Sequence, residues 1–408
     1  MEYRYIDIFA GCGGLSLGLH NSGWKGIFAI EKNPDAFSTL KFNLIDSKKH
    51  FEWVDWLEKS DHDINELLKD YKMELSNLSG KVPLVVGGPP CQGFSMAGQR
   101  KKNDVRNKLV HSYIEFIKII RPKYLFFENV HGFTVAFKDK NNLKSKPMSD
   151  YIVLELNKLG YKIHSEIIDM SDYGIPQKRK RFILVGSVVS DPKKFFNILK
   201  NNRLDFLKSK NLTYHPSVKS AIGDLLQENN QIDCPDSKGF KSGKYLKATT
   251  QYQKYMRKGI SKNEIPDSHR FANHQDYTIK LFKKMQQECE LGKRLSTKNT
   301  KMEGFKRRGI TILEPSKPCN TITSHPDDYL HYLEPRIMTV RECARIQSFP
   351  DSFEFKGKYT TGGELRKKDV PRYTQVGNAI PPLFAEQVGL AMINFIEKSE
   401  KTNGEVIV

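Results

Sequence analysis

The sequence is poor in long apolar runs, in clustered cysteines and in negative charge. No window of about 18 consecutive apolar residues occurs and the N-terminus shows no basic-then-apolar signal pattern, so we expect a cytoplasmic protein without a membrane span. The six cysteines form no CxxC pair, which argues against a structural zinc site and against a dense disulfide framework. Each cysteine therefore has to be considered by itself.

Acidic residues are outnumbered, because 47 Asp+Glu stand against 66 Lys+Arg and give a formal net charge of +19 over 408 residues. Such an excess favours a polyanionic partner, since positive potential attracts phosphates and displaces counterions. The alternative is a lysine-rich, solvated surface without such a partner. Charge alone leaves the two interpretations evenly balanced.

Short apolar runs alternate with helical patterns in the first half of the chain. The strand candidates are residues 3–9, 26–30, 82–86, 124–127 and 182–185. Strands that alternate with helices predict an α/β domain with a doubly wound, mostly parallel sheet. We expect this domain to span residues 1–188 and to be completed by residues 371–408.

The middle of the chain has a different composition. Residues 191–340 contain 28 Lys+Arg and 16 Asp+Glu, so this stretch holds 28 − 16 = +12 of the net charge. Its basic loops interleave with tyrosines and phenylalanines. We therefore expect a second, smaller and basic domain over residues 189–370.

A glycine turn, DIFAGCGG at residues 7–14, follows the first strand and opens a helix, and Glu31 ends the next strand 20 positions beyond Gly11. Glycines allow the backbone to approach a nucleotide-like ligand, and a carboxylate at that place can accept ribose hydroxyls. Ser16 stands where the third glycine of GxGxxG would fall. This weakens an NAD or FAD site and favours a ligand without a pyrophosphate, such as S-adenosylmethionine, while a plain structural turn stays open as the alternative.

A second glycine-rich block, GGPPCQGFS at residues 87–95, directly follows an apolar strand. The two prolines stiffen the strand exit and hold Cys91 at the carboxyl edge of the sheet, where open α/β folds bind ligands. A lone cysteine is usually an inert buried residue. That interpretation is weaker here, and the polar, basic stretch 92–107 is typical of a loop that closes over a nucleic acid.

Together, DIFAGCGG and PPCQGFS resemble the DNA (cytosine-5) methyltransferase family. Further blocks of that family follow in the same order, namely ENV at 128–130, QKRKR at 177–181, RECARIQSFP at 341–350 and GNAIPP at 377–382. The resemblance covers residues 5–185 and about 335–395. It implies a Rossmann-like, S-adenosylmethionine-dependent enzyme of the prokaryotic restriction-modification type, whose basic middle is a target-recognition domain reading bases in the major groove.

The resemblance also assigns catalytic roles. Cys91 is implied as the nucleophile whose thiolate adds to carbon 6 of cytosine. Glu128 is implied as the acid at ring nitrogen 3, with burial beside the flipped base raising its pKa. Arg181 is implied to donate to the exocyclic oxygen of the cytosine, and Arg179 to help place the base. Without the other blocks, QKRKR would be read as a basic surface run.

For the cofactor, the resemblance implies contacts of S-adenosylmethionine, which leaves as S-adenosylhomocysteine, with Phe9, Gly11, Gly13, Glu31, Asp55, Pro89, Leu109 and Asn378. Phe9 would pack on the adenine and Glu31 would hold the ribose. Asp55 stands where the family has an Asp-Ile pair, but here Trp56 replaces the isoleucine. No metal is implied, and the RECARIQSFP block is expected to brace the two domains.

The implied partner is double-stranded DNA, bound by a monomer that flips the target cytosine out of the duplex. A cognate restriction endonuclease and an orphan enzyme are equally compatible with the sequence. One alternative is a tRNA cytosine-5 methyltransferase of the same superfamily, but the Cys-Phe-Thr tripeptide of that branch is absent. A Rossmann dehydrogenase is disfavoured by the missing third glycine, and a non-catalytic DNA-binding protein would not need PPC, ENV and QKRKR together.

Overall fold

The computed structural model describes most of the chain, with gaps. The described residues are 2–90, 108–136, 146–227, 231–261, 263–297, 302, 304, 305, 309–362, 365 and 369–404. The chain folds into two compact units, each of which is formed by more than one segment. Unit 1 comprises Met1–Asp169, Lys180–Arg203 and Ala385–Val408, and unit 2 comprises Met170–Arg179 and Leu204–Phe384.

Strands and helices are numbered here in chain order. The strands are β1 (Arg4–Ile8), β2 (Lys25–Ile30), β3 (Leu84–Gly87), β4 (Tyr124–Val130), β5 (Lys162–Asp169), β6 (Gln177–Lys178), β7 (Lys180–Ser187), β8 (Gln231–Asp233), β9 (Lys241–Gly243), β10 (Arg294–Leu295), β11 (Ile310–Ile312), β12 (Cys319–Asn320) and β13 (Tyr329–Leu330). The α-helices are α1 (Gly14–Asn21), α2 (Pro34–Leu40), α3 (Ile64–Asp70), α4 (Lys72–Asn77), α5 (Lys108–Ile120), α6 (Met148–Lys158), α7 (Lys193–Ser209), α8 (Val218–Ile222), α9 (Gln251–Met256), α10 (Asp276–Glu288), α11 (Val340–Ile346), α12 (Arg372–Asn378) and α13 (Pro382–Gly404).

Unit 1 is built on a six-stranded sheet in the order β2-β1-β3-β4-β7-β5. The first four strands in this order are parallel, and β7 runs antiparallel to both β4 and β5. Strands that are buried on both faces of a sheet have continuous apolar sequences. Examples are LVV in β3 and YLFF in β4, where Val85 and Phe126 are fully buried. The predicted α/β class with a mostly parallel sheet is therefore confirmed.

The C-terminal helix α13 packs on the first helix of unit 1. A Cβ added to Gly18 of α1 would lie 2.3 Å from the Cβ of Ala385, so only glycine allows this approach. The indole Nε1 of Trp24 donates to the carbonyl of Gly389 (3.0 Å). The stretch Arg372–Lys401 is long and apolar enough to cross a membrane by length and composition, but 72% of its apolar window is buried inside the structure, as in a core helix.

Unit 2 combines short helices with small sheets. One three-stranded sheet has the order β10-β11-β13, and two pairs are formed by β12 with β6 and by β8 with β9. An apolar cluster lies between α10 and this three-stranded sheet. Its buried members are Phe282, Met285, Phe305, Ile310, Ile312, Leu330 and Ile337.

A second core of unit 2 is ionic. Helix α11, which carries the RECARIQSFP block, starts with a capping box between Thr339 and Glu342. The fully buried guanidinium of Arg345 binds two buried carboxylates, those of Asp224 and Asp351. Burial opposes ionisation of Asp351, but the attraction of Arg345 outweighs it and lowers the Asp351 pKa. Charges buried so deeply are tolerated because each is paired and hydrogen-bonded.

Candidate active site

The glycine turn lies at the carboxyl end of β1 in unit 1. Phe9, Gly11 and Gly13 have left-handed backbones, with φ of 63°, 58° and 92°. For a phenylalanine this conformation costs about 1–3 kcal/mol, and such residues cluster at functional sites. The amide of Ala10 donates to the carbonyl of Ile30 (2.9 Å), and the amide of Gly13 donates to the carbonyl of Ala10 (3.0 Å). The turn is thus fixed to the end of β2.

Glu31 closes one side of this turn. Its Oε2 accepts from the amide of Gly11 (2.9 Å) and its Oε1 from the amide of Asn33 (2.8 Å). Burial raises the Glu31 pKa, and the two backbone donors counteract part of that rise. A Cβ built on Gly11 would meet no atom of the described residues within 4 Å. The structure therefore brings Phe9, Gly11, Gly13 and Glu31 together at one turn, with open space beside Gly11, whereas a Cβ on Gly13 would lie 2.8 Å from Leu44 Cδ1.

Beneath the turn lies Asp7, a residue to which the sequence assigns no role. It is 1% exposed, and Ser16 Oγ donates to its Oδ2 (2.6 Å). Burial raises the Asp7 pKa to about 7, the Ser16 hydrogen bond lowers it, and the charge of Glu31 adds to the rise. Ser16, which in the sequence only interrupts GxGxxG, is thus the hydrogen-bond partner of a buried carboxyl group. An acidic residue among the apolar residues of β1 is the sequence signal for this pair.

The exit of β3 packs tightly against the end of β4. A Cβ added to Gly88 would lie 2.3 Å from the carbonyl oxygen of Glu128 and 3.3 Å from its Oε2. The Asn129 amide donates to the carbonyl of Pro89 (3.1 Å), a role that the sequence did not reveal. Gly88 and buried Pro89 therefore sit beside the ENV block. Cys91, two positions further on, lies outside the described residues.

Glu128 and Arg181 form an ion pair across β4 and β7. Glu128 lies opposite Ile183 in the ladder, so Arg181 is its diagonal neighbour on the same face. Arg181 Nε is 2.9 Å from Glu128 Oε1, and the two side chains are 11% and 12% exposed. Burial lowers the Arg181 pKa, and the neighbouring Glu128 carboxylate counteracts this. The pair places a carboxylate and a guanidinium side by side, with both side chains largely buried.

Arg179 belongs to unit 2 and is 1% exposed. Its Nη2 donates to the carbonyls of Gly377 (3.2 Å) and Ala379 (3.0 Å), which flank Asn378. Asn378 itself is exposed at the end of α12. Arg179 therefore fixes the backbone on both sides of a predicted cofactor residue.

Two buried glutamines connect three of the sequence blocks within unit 2. Gln177 Nε2 donates to Gln347 Oε1 (2.9 Å), and Gln347 Nε2 donates to the carbonyl of Val376 (2.7 Å). Gln177 Oε1 accepts from the amide of Ile322 (2.8 Å). QKRKR, RECARIQSFP and the residue of α12 that precedes GNAIPP thus meet at these amides. No pattern in the sequence indicates this role for Gln347.

The remaining predicted residues are less closely tied to the turn. Asp55 is exposed in a turn of unit 1, and Leu109 is half-buried in the first turn of α5. Among the residues that the structure describes, no group of three or more His, Cys, Asp or Glu side chains is arranged to hold a metal ion.

Comparisons with known proteins give a consistent result. A family model described as C-5 cytosine-specific DNA methylase matches residues 3–394. The Type II methyltransferase M.DdeI of Desulfomicrobium norvegicum is 32% identical over 397 residues, which cover 93% of this chain and 86% of the relative. M.PspPI of a Psychrobacter species is 30% identical over 404 residues, with 98% and 81% covered.

Two solved structures share the fold. A putative DNA modification methyltransferase encoded within an E. coli prophage has a TM-score of 0.63 at 20% identity and covers 97% of this chain and 100% of its own. The S. pombe Dnmt2 methyltransferase has a TM-score of 0.51 at 16% identity, with 97% and 99% covered. At these identities the likeness concerns the fold alone.

Proposed function

Because this chain belongs to the C-5 cytosine-specific DNA methylase family, we propose that it transfers a methyl group from S-adenosylmethionine to carbon 5 of a cytosine flipped out of duplex DNA. The observation that carries the proposal is the Glu128–Arg181 pair beside the strand exit that leads to Cys91. In this arrangement, the carboxyl group of Glu128 can donate a proton to ring nitrogen 3 of cytosine. The guanidinium of Arg181 can donate N–H hydrogen bonds to the exocyclic oxygen.

Cys91 acts as the nucleophile. Carbon 5 of cytosine is a weak nucleophile, and addition of the Cys91 thiolate to carbon 6 makes it an enamine carbon. A proton held by Glu128 neutralises the charge that develops on the ring, and Arg181 stabilises the oxygen. Once carbon 5 carries the methyl group, its proton leaves to a base, the bond between Sγ and carbon 6 breaks, and the free thiolate returns.

The cofactor fits the space beside Gly11. S-adenosylmethionine, when bound, supplies the electrophilic methyl group. Open space next to Gly11 supports this fit, as does the Glu31 carboxylate, whose remaining lone pairs can accept ribose hydroxyls. Phe9 would pack on the adenine, and Gly13 keeps the turn in shape by leaving room for Leu44 and Leu40. Pro89 and Leu109 are proposed as further contacts of the cofactor. Asp55 and Asn378 complete the proposed set.

Unit 2 is proposed to be the target-recognition domain of a monomeric enzyme, because it includes most of the basic middle of the chain. Two relatives with at least 30% identity are named Type II methyltransferases, which supports DNA over tRNA as the substrate. We extend their restriction-modification role to this chain and propose that methylation protects DNA from a partner endonuclease in a prokaryotic cytoplasm.

A covalent trap tests the proposal. Duplex DNA that carries 5-fluorocytosine cannot lose the substituent at carbon 5, so the wild-type protein with S-adenosylmethionine should form a stable covalent complex. Cys91→Ala should abolish the complex, whereas Cys289→Ser, at a half-buried cysteine in unit 2, should retain it. A complex that survives in Cys91→Ala would refute the assignment. Bisulfite sequencing of DNA from expressing cells would then identify the methylated sequence.

A further inference from the structure

Helix α10 of unit 2 carries an exposed face that the proposed function leaves unused. Its buried side is formed by Thr278, Phe282 and Met285. The opposite side presents Tyr277, which is 72% exposed, together with exposed lysines at positions 280, 283 and 284. At 100° per residue, Tyr277, Lys280 and Lys284 project from one side of the helix. The face therefore combines an aromatic ring with three cations.

The helix under this face is firmly anchored. Phe282 and Met285 are both fully buried in the cluster that also contains Ile310 and Leu330. Gln286 Nε2 donates to the carbonyls of His331 (2.8 Å) and of Glu334 (2.9 Å). The lysines are thus presented by a rigid element and not by a loose loop, which limits the ordering cost of binding.

The three lysine charges are not neutralised locally. In the part of the chain that the structure describes, no carboxylate lies within 4.0 Å of their amino groups, although Asp276 and Glu288 stand one turn away from Lys280 and Lys284. Like charges three and four residues apart repel each other and destabilise a helix. Asp276 and Glu288, four residues from Lys280 and Lys284, offset part of this repulsion, while the exposed ammonium groups remain accessible to an external anion.

We propose that this face of α10 binds the phosphate backbone of duplex DNA and holds the recognition unit on its substrate. Lys280 and Lys284 are about 6 Å apart along the helix axis. A DNA strand carries one charge per about 3.4 Å of helix axis, so the two ammonium groups can reach phosphates of one strand. Tyr277 packs against the sugar beside them. The inference rests on the proposed function, because DNA is the substrate there.

The test uses the full chain with all three lysines changed together, Lys280→Gln, Lys283→Gln and Lys284→Gln. Glutamine forms helices about as well as lysine, so α10 should be retained. Duplex affinity is measured between about 50 and about 200 mM salt. Each lost phosphate contact reduces the steepness of log K against log salt by about 0.9, so loss of the Lys280 and Lys284 contacts should reduce it by about 1.8.

A control variant with the same charge change is Lys72→Gln, Lys81→Gln and Lys123→Gln, at exposed sites of unit 1. Lys81 and Lys123 precede β3 and β4 and so lie at the amino edge of the sheet, opposite the glycine turn. This variant should keep the wild-type slope. In methylation assays, the α10 variant should raise the KM for DNA and leave kcat at saturating DNA unchanged.

The inference is overturned if the α10 variant keeps the wild-type slope, or if both triple variants lose the same amount, since net charge would then explain the effect. A loss of affinity for an RNA duplex but not for DNA would also overturn it. Failure of the proposed function looks different, because the wild-type protein would then form no 5-fluorocytosine adduct, whatever its salt dependence. If the triple variant unfolds at the assay temperature, single variants at Lys280 and Lys284 provide the same slope measurement.

Discussion

Glu31→Gln is the sharpest perturbation of the proposed cofactor site. Both carboxylate oxygens of Glu31 accept backbone amides, those of Gly11 and Asn33, at 2.9 and 2.8 Å. A glutamine has the same shape but only one acceptor oxygen, so one of these two N–H groups would face an NH2 donor. The charge that favours ribose hydroxyls would also be lost.

The magnitude follows from the type of hydrogen bond. A bond to a charged group contributes about 1.5–3 kcal/mol, and the variant loses at least one such bond between the site and the ligand. Since 1.4 kcal/mol corresponds to tenfold in affinity, S-adenosylhomocysteine should bind about 10-fold to about 100-fold more weakly. Glu31→Ala should bind as weakly or more weakly, because it also frees the amide of Gly11.

Isothermal titration calorimetry with S-adenosylhomocysteine measures the effect directly. Glu66→Gln, at an exposed site on α3, removes the same charge from unit 1 and should leave the affinity unchanged. An unfolding curve of each variant shows whether the site is intact at the assay temperature. If well-folded Glu31→Gln binds within about twofold of wild type, Glu31 does not hold the ligand and the reasoning fails.

Three further predictions concern unit 2 and the packing of unit 1. Arg345→Met leaves buried Asp224 and Asp351 with only the longer contacts to Arg257 (3.3 Å) and Arg341 (3.9 Å), and it should lower the free energy of unfolding by about 3 kcal/mol in urea titrations. Arg294→Met, at a half-exposed pair, should cost less than about 1 kcal/mol. Burial lowers the pKa of His50 from 6.5 to about 3. The free energy of unfolding should therefore be highest above about pH 6.5 and fall toward pH 3 by up to about 1.4 kcal/mol per pH unit. His50→Gln should flatten this decline, as denaturation curves at pH 7 and pH 5 would show. Gln347→Met removes the hydrogen-bond partner of Gln177 Nε2 and of the Val376 carbonyl. It should raise the KM for S-adenosylmethionine more than the KM for DNA. An equal rise in both KM values would contradict a positioning role for Gln347.

Much of unit 1 was predictable because its signals are local. The apolar run at 82–86 overlaps β3, which spans Leu84–Gly87, and the run at 124–127 lies within β4. Their parallel pairing follows from the alternation of strands and helices. The place of Glu31 beside the glycine turn was predictable as well, because a carboxylate at the end of the second strand is a local pattern, whereas its contact with the cofactor stays a prediction. Cys91 comes from the family resemblance and lies outside the described residues.

Other features depend on residues that are far apart in sequence. Gln177 and Gln347 are 170 positions apart, and Arg345 and Asp224 are 121 apart. No periodicity or spacing connects such pairs, since a buried amide or guanidinium finds its partner only when the chain has closed. The hydrogen bond between Asp7 and Ser16 could not be predicted either, although the two residues are close in sequence, because it depends on the turn between them.

The two arginines of the short QKRKR block have different partners in the folded chain. A strand alternates its side chains, so Arg179 and Arg181 look equivalent in sequence. Yet Arg181 pairs with Glu128 inside unit 1, whereas Arg179 donates to two carbonyls that flank Asn378 inside unit 2. Replacing Arg181 removes a group proposed to touch the base, but replacing Arg179 frees the backbone around a proposed cofactor contact. Substitutions of the two arginines should therefore have different effects in assays. Arg181→Lys should impair the chemical step, whereas Arg179→Lys should impair binding of S-adenosylmethionine.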